Sequence, residues 1–546
     1  MVLHFITARA VGHGDTQSHQ LPEKIANLSP PGLFIMSHPQ IDRITLTKRR
    51  AACLLVAVLF GLLDTLPSQA QALTGQEKSL HVLNRLGYGP RPGDLQQLEQ
   101  MGVRRYIDQQ LNPERIAMPA DLQARLDALP AYRMSVTQLF NDYGPPSFDR
   151  NASKEDKQVA RQRAARELTP QFHQERLWQA TESPCQLQEV MTEFWLNHFN
   201  VFEGKDWVRY WVGDYEQNAI RAHALGNFRE LLGAVAHHPA MLVYLDNWLS
   251  SGVNTPGARG RFKGLNENYA RELMELHTLG VDGGYQQTDV ITLARILSGW
   301  TIDVQAMKEG AAPNRFNMQR HDNGPKVFLG RSIPAGGEQE GEAALDMLAS
   351  HPATAHFIST KLAQYFVADK PDPALVEKLS QTFLASHGDI RSVLRVLFDS
   401  PQFWARENYQ TQFKTPYQFV ISSLRASATP VLNHKPVDGA LNQFGMPLYG
   451  WLTPEGYKYS QEAWLNADAL LRRINFAGGL ANGRSAIARP ENTPAPPASA
   501  SSPVDPRQLQ QTLGPAITPD IAATIASTPS NLRAVLMLGG PSFMKR

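Results

Sequence analysis

The sequence predicts a mainly α protein: one large helical domain, a multi-helix orthogonal bundle with long loops and little strand. Three observations predict it. Apolar residues recur at helical spacing in segment after segment, many opening on a capping residue or closing on glycine. Strand signal is thin, with Lys326 to Leu329 the clearest short run. No motif repeats at a fixed period, which argues against a solenoid or propeller.

The elements follow in order along the chain. Leu80 to Arg85 begins an amphipathic segment closed by the turn Gly87-Tyr88-Gly89-Pro90. Asp94 to Met101 reads as a short helix ended by Gly102, and Val103 to Leu111 as another. Ser183-Pro184-Cys185-Gln186 predicts a helix start, with serine as cap, proline in the first turn and glutamine completing a capping box. That helix is expected to run to Phe199. Asp206 to Ala224, Phe228 to Ala236, Asn266 to Leu279 and Thr288 to Trp300 follow. Gly226 and Gly280 stand where a left-handed cap residue is expected. The later helices are Ala353–Val367, Pro373–Ser386, Ile390–Asp399, Pro416–Ala428, Ala463–Ala477 and Asp520–Met537. Gly144–Glu155, Ser250–Gly264 and Arg489–Pro506 are loop-like, the last rich in Pro, Ala and Ser.

Near the N-terminus the pattern is that of an export signal. Lys48, Arg49 and Arg50 are basic, Ala51 to Leu63 is apolar and uncharged, and Ala70-Gln71-Ala72 is a small-residue cleavage site. The apolar run of about 13 residues falls short of the roughly 20 a membrane helix needs. The expected organisation is therefore an N-terminal extension at 1–35, a signal peptide at 36–72 and a main helical domain at 73–488. A flexible segment at 489–506 and a C-terminal helical segment at 507–546, packed on the main domain, complete it. Residues 1–35 lack periodicity, so translation is expected to start at Met36. A precursor peptide from 1–35 in a mass spectrum would refute this. The expected destination is the periplasm or the medium, with no stable membrane span after cleavage. Cleavage removes Cys53 and leaves Cys185 alone, so the exported body has no internal disulfide and relies on its core.

A composition of 42% hydrophobic and 19% charged residues is ordinary for a globular chain. The formal net charge of +2, with Lys and Arg scattered, gives no basic face for nucleic acid.

Three clusters could carry chemistry. On the segment Asn266–Gly280, Glu267, Arg271 and Glu275 recur every fourth residue and share a face, with Glu272 beside them. They form either an acid/base or ligand site, in which neighbours tune each other's pKa, or a structural ion-pair ladder that Arg295 could join. In Trp195-Leu196-Asn197-His198-Phe199-Asn200, His198 ends an apolar helix. It is either a satisfied core or capping residue or, if it meets the Glu267 helix, a proton carrier. In Arg320-His321-Asp322-Asn323-Gly324-Pro325-Lys326, adjacent His and Asp recur in metal-dependent phosphohydrolases, but Gly-Pro makes this a loop. An active-site loop and a turn in which Asp322 bonds the backbone remain the alternatives. No zinc-protease helix, phosphate loop, dinucleotide fingerprint or nucleophile elbow is present. No metal ligand and no cofactor is assigned.

Longer motifs carry a resemblance. They are His81-Val-Leu-Asn-Arg-Leu-Gly-Tyr-Gly89, Phe194 through Phe199, Asn266 through Gly280, Asp289-Val290 with Ser298-Gly-Trp300, and His321-Asp322 with Lys326 to Gly330. His351 to Thr354, Lys361-Leu362, Phe403-Trp404 and Lys414-Thr415-Pro416 extend them. In this order they resemble the bacterial family called domain of unknown function 1800, over nearly all of residues 78–480 and the last dozen. The resemblance implies a large exported bacterial protein without an established activity. It also implies a partner or shared pathway with an exported, alkaline-phosphatase-like protein encoded nearby. Many relatives resemble one another in a His-Asn-His pattern where this chain has Leu196, which weakens a metal reading there.

Two readings follow. One is an envelope enzyme acting on a polymer or cell-surface substrate. Glu267 or Glu272 would be its acid or base, His198 or His321 with Asp322 its proton partner, and Arg271 and Lys326 its anion stabilisers. It expects the three clusters in one pocket. The other is a non-enzymatic helical scaffold or binding subunit for the phosphatase-like partner, with satisfied ion pairs and an exposed apolar patch.

Overall fold

A computed structural model describes residues 72–145, 153–260, 262, 264–493 and 503–546. The N-terminal extension, nearly all of the export signal with Cys53, and parts of all three loop-like stretches lie outside the described residues. Residues 70–546 form a single unit. It is mainly α, with helices packed around one continuous apolar core and only two small two-stranded sheets among the described residues. No helix among those residues is long and apolar enough to cross a membrane.

Two helices form the centre. Pro416–Ala426 is buried at every residue, and Gln186–His198 at all but Gln188 and Asn197. Both carry apolar residues around most of their circumference, the pattern of a helix enclosed by others. The first starts on Thr415, whose hydroxyl accepts from the Gln418 amide while the Gln418 side chain accepts from the Thr415 amide. The second starts later than Ser183. The Ser183 hydroxyl accepts from the Cys185 amide, and Gln186 spends its amide group on the Ala180 and Ser183 carbonyls. That local turn replaces the expected capping box, and the helix begins at Gln186.

Outer helices stack in sequence order, Pro352–Phe366 on Pro373–Ala385 and that on Ile390–Phe398. Three expected helices are broken. Asp206–Ala224 becomes an α-helix at Val208–Asp214, a π-helical stretch at Tyr215–Ile220 and a 3-10 turn at Arg221–His223. The tight turn satisfies the last carbonyls through Ala224 and the Gly226 amide, so Gly226 needs no left-handed conformation. Ala463–Ala477 splits into Gln461–Trp464 and Ala467–Ala481, because Asn466 caps the second helix by accepting from the Ala469 amide. Asp520–Met537 divides at Pro529 into Pro519–Ser527 and Ser530–Gly539.

The strand expected at Lys326 is a short hairpin, Lys326–Phe328 against Arg331–Ile333. Leu329 and Gly330, at φ 46° and 75°, supply the two left-handed turn residues such a connection needs. The other hairpin pairs Trp300–Ile302 with Asn314–Phe316. The chain end returns to the core: Lys414 donates its amide to Met544, Arg546 donates its amide to Gln412, and the Arg546 guanidinium lies 4.4 Å from the Tyr365 ring. Cys185 is buried and unpaired, and burial pushes its thiol up to about 11.

Candidate functional site

The buried helix Gln186–His198 and the helix Pro352–Phe366 are tied together at two levels. Tyr365 donates its hydroxyl to Glu193 at 2.6 Å, and Lys361 Nζ lies 3.1 Å from His198 Nδ1. One partner moves forward along its helix as the other moves back, so the two run antiparallel. A third segment fixes the histidine. Gly280, at φ 83°, closes the helix Asn268–Glu275 by donating to the Met274 carbonyl, and the turn aims the His277 carbonyl at His198 Nε2, 3.1 Å away.

These contacts determine the state of the pair. A carbonyl only accepts, so His198 carries its proton on Nε2 and offers Nδ1 as an acceptor to Lys361. Burial, reinforced by Lys361, holds the His198 imidazole well below its ordinary range, so it is neutral at physiological pH. Burial also lowers the Lys361 ammonium to about 8. The lysine stem is covered, with the amine 4.9 Å from the Phe357 ring. A fraction of Lys361 is therefore a free amine near neutrality, and its neighbour accepts a proton-bearing nitrogen without competing for the charge.

The pair opens on a cavity of about 370 Å³. Phe194, Asn197, Gln364 and Asp369 contribute from the helical side, and Glu455 to Ser460 cover the opposite side. Asn197 pins that cover. It donates to the Tyr457 carbonyl at 2.8 Å and accepts from the Tyr457 amide at 2.6 Å. Gly456 makes the close approach possible. At φ 72°, a Cβ there would stand 2.2 Å from the Asn197 carbonyl oxygen.

Of the sequence-selected residues, His198 alone lines this cavity. Glu267, Arg271 and Glu275 form a ladder on a partly exposed face, with Arg271 3.5 Å from Glu267 and 3.3 Å from Glu275. Gln287 bridges the first two at 2.8 Å each. Such exposed pairs contribute about 0–1 kcal/mol. Glu272 is half-buried beside them, and burial followed by Glu275 raises its carboxyl.

His321, Asp322 and Lys326 belong to a separate network, sealed at His321 and Lys326 and partly open at Asp322. His321 donates from Nδ1 to the Ser298 carbonyl (2.8 Å), its Nε2 lies 3.1 Å from a Glu340 carboxylate oxygen, and Lys326 pairs with Glu340 at 2.7 Å. Neither His321 nor Lys326 reaches solvent. Arg295 clasps Asp322 with two bonds of 2.9 and 3.0 Å, and the Gly324 amide donates to the same carboxylate. Burial pushes Glu340 up, yet Lys326, the Gly336 amide and His321 together hold it below its ordinary value. The three clusters thus occupy three environments; the first two meet at His277, whose carbonyl faces His198 and whose ring packs on Phe199.

Lys361 stands inside a motif of the sequence, but a lysine on an amphipathic helix reads as a solvated residue. Its burial depends on a partner helix more than 150 residues earlier and a loop about 100 later. A further group also escaped sequence reasoning: His173, His434 and Asp438 bring three ligand atoms within 4.8 Å of one another.

Fold and cavity together define a large, mainly α protein with an amine–imidazole pair at the wall of one cleft. The family described as "Protein of unknown function (DUF1800)" matches over residues 81–545, and the chain belongs to that family. Among curated proteins and among solved structures nothing matches it.

Proposed function

We propose that this chain is an exported envelope enzyme in which Lys361 is the general base and His198 its positioning residue. The observation that carries this is the 3.1 Å contact between Lys361 Nζ and His198 Nδ1 at the cavity wall, with the amine lowered to about 8. A neutral amine removes a proton from a bound substrate, and His198 Nδ1 then accepts a hydrogen bond from the ammonium produced. The wall combines the rings of Phe194, Tyr457 and Tyr459 with Asp369, Glu455 and Ser460. Ring faces beside hydroxyl and carboxylate groups suit one unit of a hydroxylated polymer or cell-surface glycan.

The test is the mature chain from residue 73, assayed against esterified and unmodified envelope glycans. Activity should rise through a pKa near 8 and fall about 10²–10⁴-fold in Lys361→Met. Selective acylation of Lys361 across pH reads the same group without a substrate. A Lys361 that titrates like an ordinary lysine, or full turnover in the Met variant, overturns the proposal.

A second reading rests on a separate surface. Leu471 and Ile474, 57% and 43% exposed, lie on the helix Ala467–Ala481, and Leu532, 45% exposed, lies on the helix Ser530–Gly539 packed against it. We infer from these exposed apolar side chains a binding role toward an exported, phosphatase-like partner. Loss of partner capture in Leu471→Glu/Ile474→Glu, with Lys361 titration unchanged, supports it; capture unaffected by that variant refutes it.

A further inference from the structure

The helix Thr169–Glu182 carries His173, and the helix Lys435–Gln443 carries Asp438 one turn after its cap residue His434. The spacing of four puts His434 and Asp438 on one face, and packing brings His173 to them from 261 positions earlier than His434. Both imidazoles address a single carboxylate oxygen. His173 Nδ1 lies 2.9 Å and His434 Nδ1 2.7 Å from Asp438 Oδ2. We propose that His173, His434 and Asp438 form a binding site for a divalent transition-metal ion of the zinc class.

The hydrogen-bonding balance favours it. With a proton on each Nδ1, Asp438 Oδ2 receives two donors, while Oδ1 is buried and receives none. Two imidazoles on one carboxylate oxygen, with the second oxygen idle, is an uneven way to satisfy buried polar groups. A cation between the three resolves the crowding. Each ring passes its proton to Nε2 and turns its Nδ1 lone pair to the metal, and Asp438 binds through either oxygen.

Little movement is needed. Metal–ligand bonds of about 2.0–2.2 Å in a tetrahedral site place donor atoms roughly 3.3 Å apart. The two nitrogen–oxygen separations are therefore a few tenths of an ångström short, and the two ligand nitrogens lie within 4.8 Å of one another, so side-chain rotation has to open the first and set the second. Two nitrogens and one carboxylate select zinc, cobalt, nickel or iron(II) over magnesium or calcium, which prefer all-oxygen sets. Three protein ligands leave at least one position open. Glu203, whose leading charged neighbour is His173 and which also senses Asp438, is a further carboxylate close enough to feel the group. The Tyr449 ring, 5.7 Å from that of His173, packs on the ligand and fixes its orientation.

This site is independent of the Lys361 cavity, whose lining includes none of the three residues. It also differs from the His198 region, where Leu196 stands beside the single histidine.

The test uses the untagged mature chain, stripped with chelator and titrated with Co²⁺ alone, then with Zn²⁺. The expected result is a stoichiometric cobalt spectrum with intense visible bands of low coordination number, bleached by zinc. His434→Ala should weaken cobalt binding by about 100-fold or more. His237→Ala, at a His–Glu pair elsewhere, should leave it unchanged. If His434→Ala loses its native circular dichroism, His173→Gln, which keeps size and polarity, takes its place. Absence of the visible bands, or bands that persist in the folded ligand variant, overturns the proposal.

Discussion

Lys361 Nζ meets His198 Nδ1 at 3.1 Å, and the His277 carbonyl on the far side of the ring dictates which nitrogen carries the proton. His198 is thus held as an acceptor toward the lysine. An acceptor stabilises the ammonium relative to the amine and partly opposes the burial that lowers it. His198→Phe keeps an aromatic ring in the space and removes the acceptor. The Lys361 pKa is expected to fall further below about 8 in this variant. The pH dependence of Lys361 acylation, read by peptide mass spectrometry, measures it. A pKa that rises toward the ordinary lysine value would contradict the assigned tautomer.

Lys414 makes stability depend on pH in a known direction. Its side chain is buried, 4.1 Å from the Phe543 ring, and burial, with Arg546 and Arg473 nearby, lowers it from 10.5 to about 7. Between those values the unfolded chain binds more protons than the folded one, so stability rises with pH across this window. Below about pH 7 both states are charged and the penalty is complete. Lys414→Met removes it, at the loss of a cation–ring contact worth about 0.5–2 kcal/mol. The variant is expected to exceed wild type by on the order of 1–2 kcal/mol near neutral pH, with the gap closing toward pH ~10. Urea midpoints at two pH values decide it; a gap that widens with pH would refute the assignment.

The Glu340 network predicts a different pattern. Lys326 and His321 both satisfy this carboxylate out of contact with water. Removing one partner of a buried pair costs about 3–5 kcal/mol, because the remaining charge is uncompensated. Lys326→Met alone should lose that much. Lys326→Met/Glu340→Leu should lose less than the sum of its single variants, and a double-mutant cycle by urea denaturation measures the coupling. Additive losses would show that Lys326 and Glu340 do not act as a unit.

The helices were legible because their signals are local. Asp94–Met101 runs between the residues its glycine stop and apolar spacing indicate, and Ile390–Phe398 ends one residue early. Pro529 lies inside the apolar pattern of Asp520–Met537, which reads as one helix, and it divides that helix in two. The switch to a π-helical stretch at Tyr215 was not visible, because Glu216 is held there by Arg176 and Tyr449 from other parts of the chain as well as by the nearby Arg221. Site chemistry divides in the same way. His198 stood out by residue type, and the Glu267 ladder by its spacing. Lys361 and the His173–His434–Asp438 group acquire their character only from packing between distant segments. No window of sequence contains both a lysine and the surfaces that desolvate it.

Gly456 connects that packing to the lysine. Its backbone is left-handed, and an added methyl would meet the Asn197 carbonyl oxygen at 2.2 Å and the Asn197 amide oxygen at 2.7 Å. Neither is the free end of a flexible side chain. The carbonyl belongs to the last turn of a buried helix, and the amide oxygen is already accepting from Tyr457. Gly456→Ala must therefore displace the segment Glu455–Ser460 rather than compress its neighbour. The expected loss is about 1–3 kcal/mol of stability, from strain and from the two broken Asn197 bonds. Displacement of this cover admits water to the cavity, and water favours the charged amine. The Lys361 pKa should then move upward from about 8 toward 10.5. Gly439→Ala provides the comparison, since a Cβ there meets nothing within 4 Å. Acylation profiles and thermal melts of the two variants separate the cases. A folded Gly456→Ala protein with an unchanged Lys361 profile would mean that this cover does not keep the lysine dry, and that the helix Gln186–His198 alone lowers its pKa.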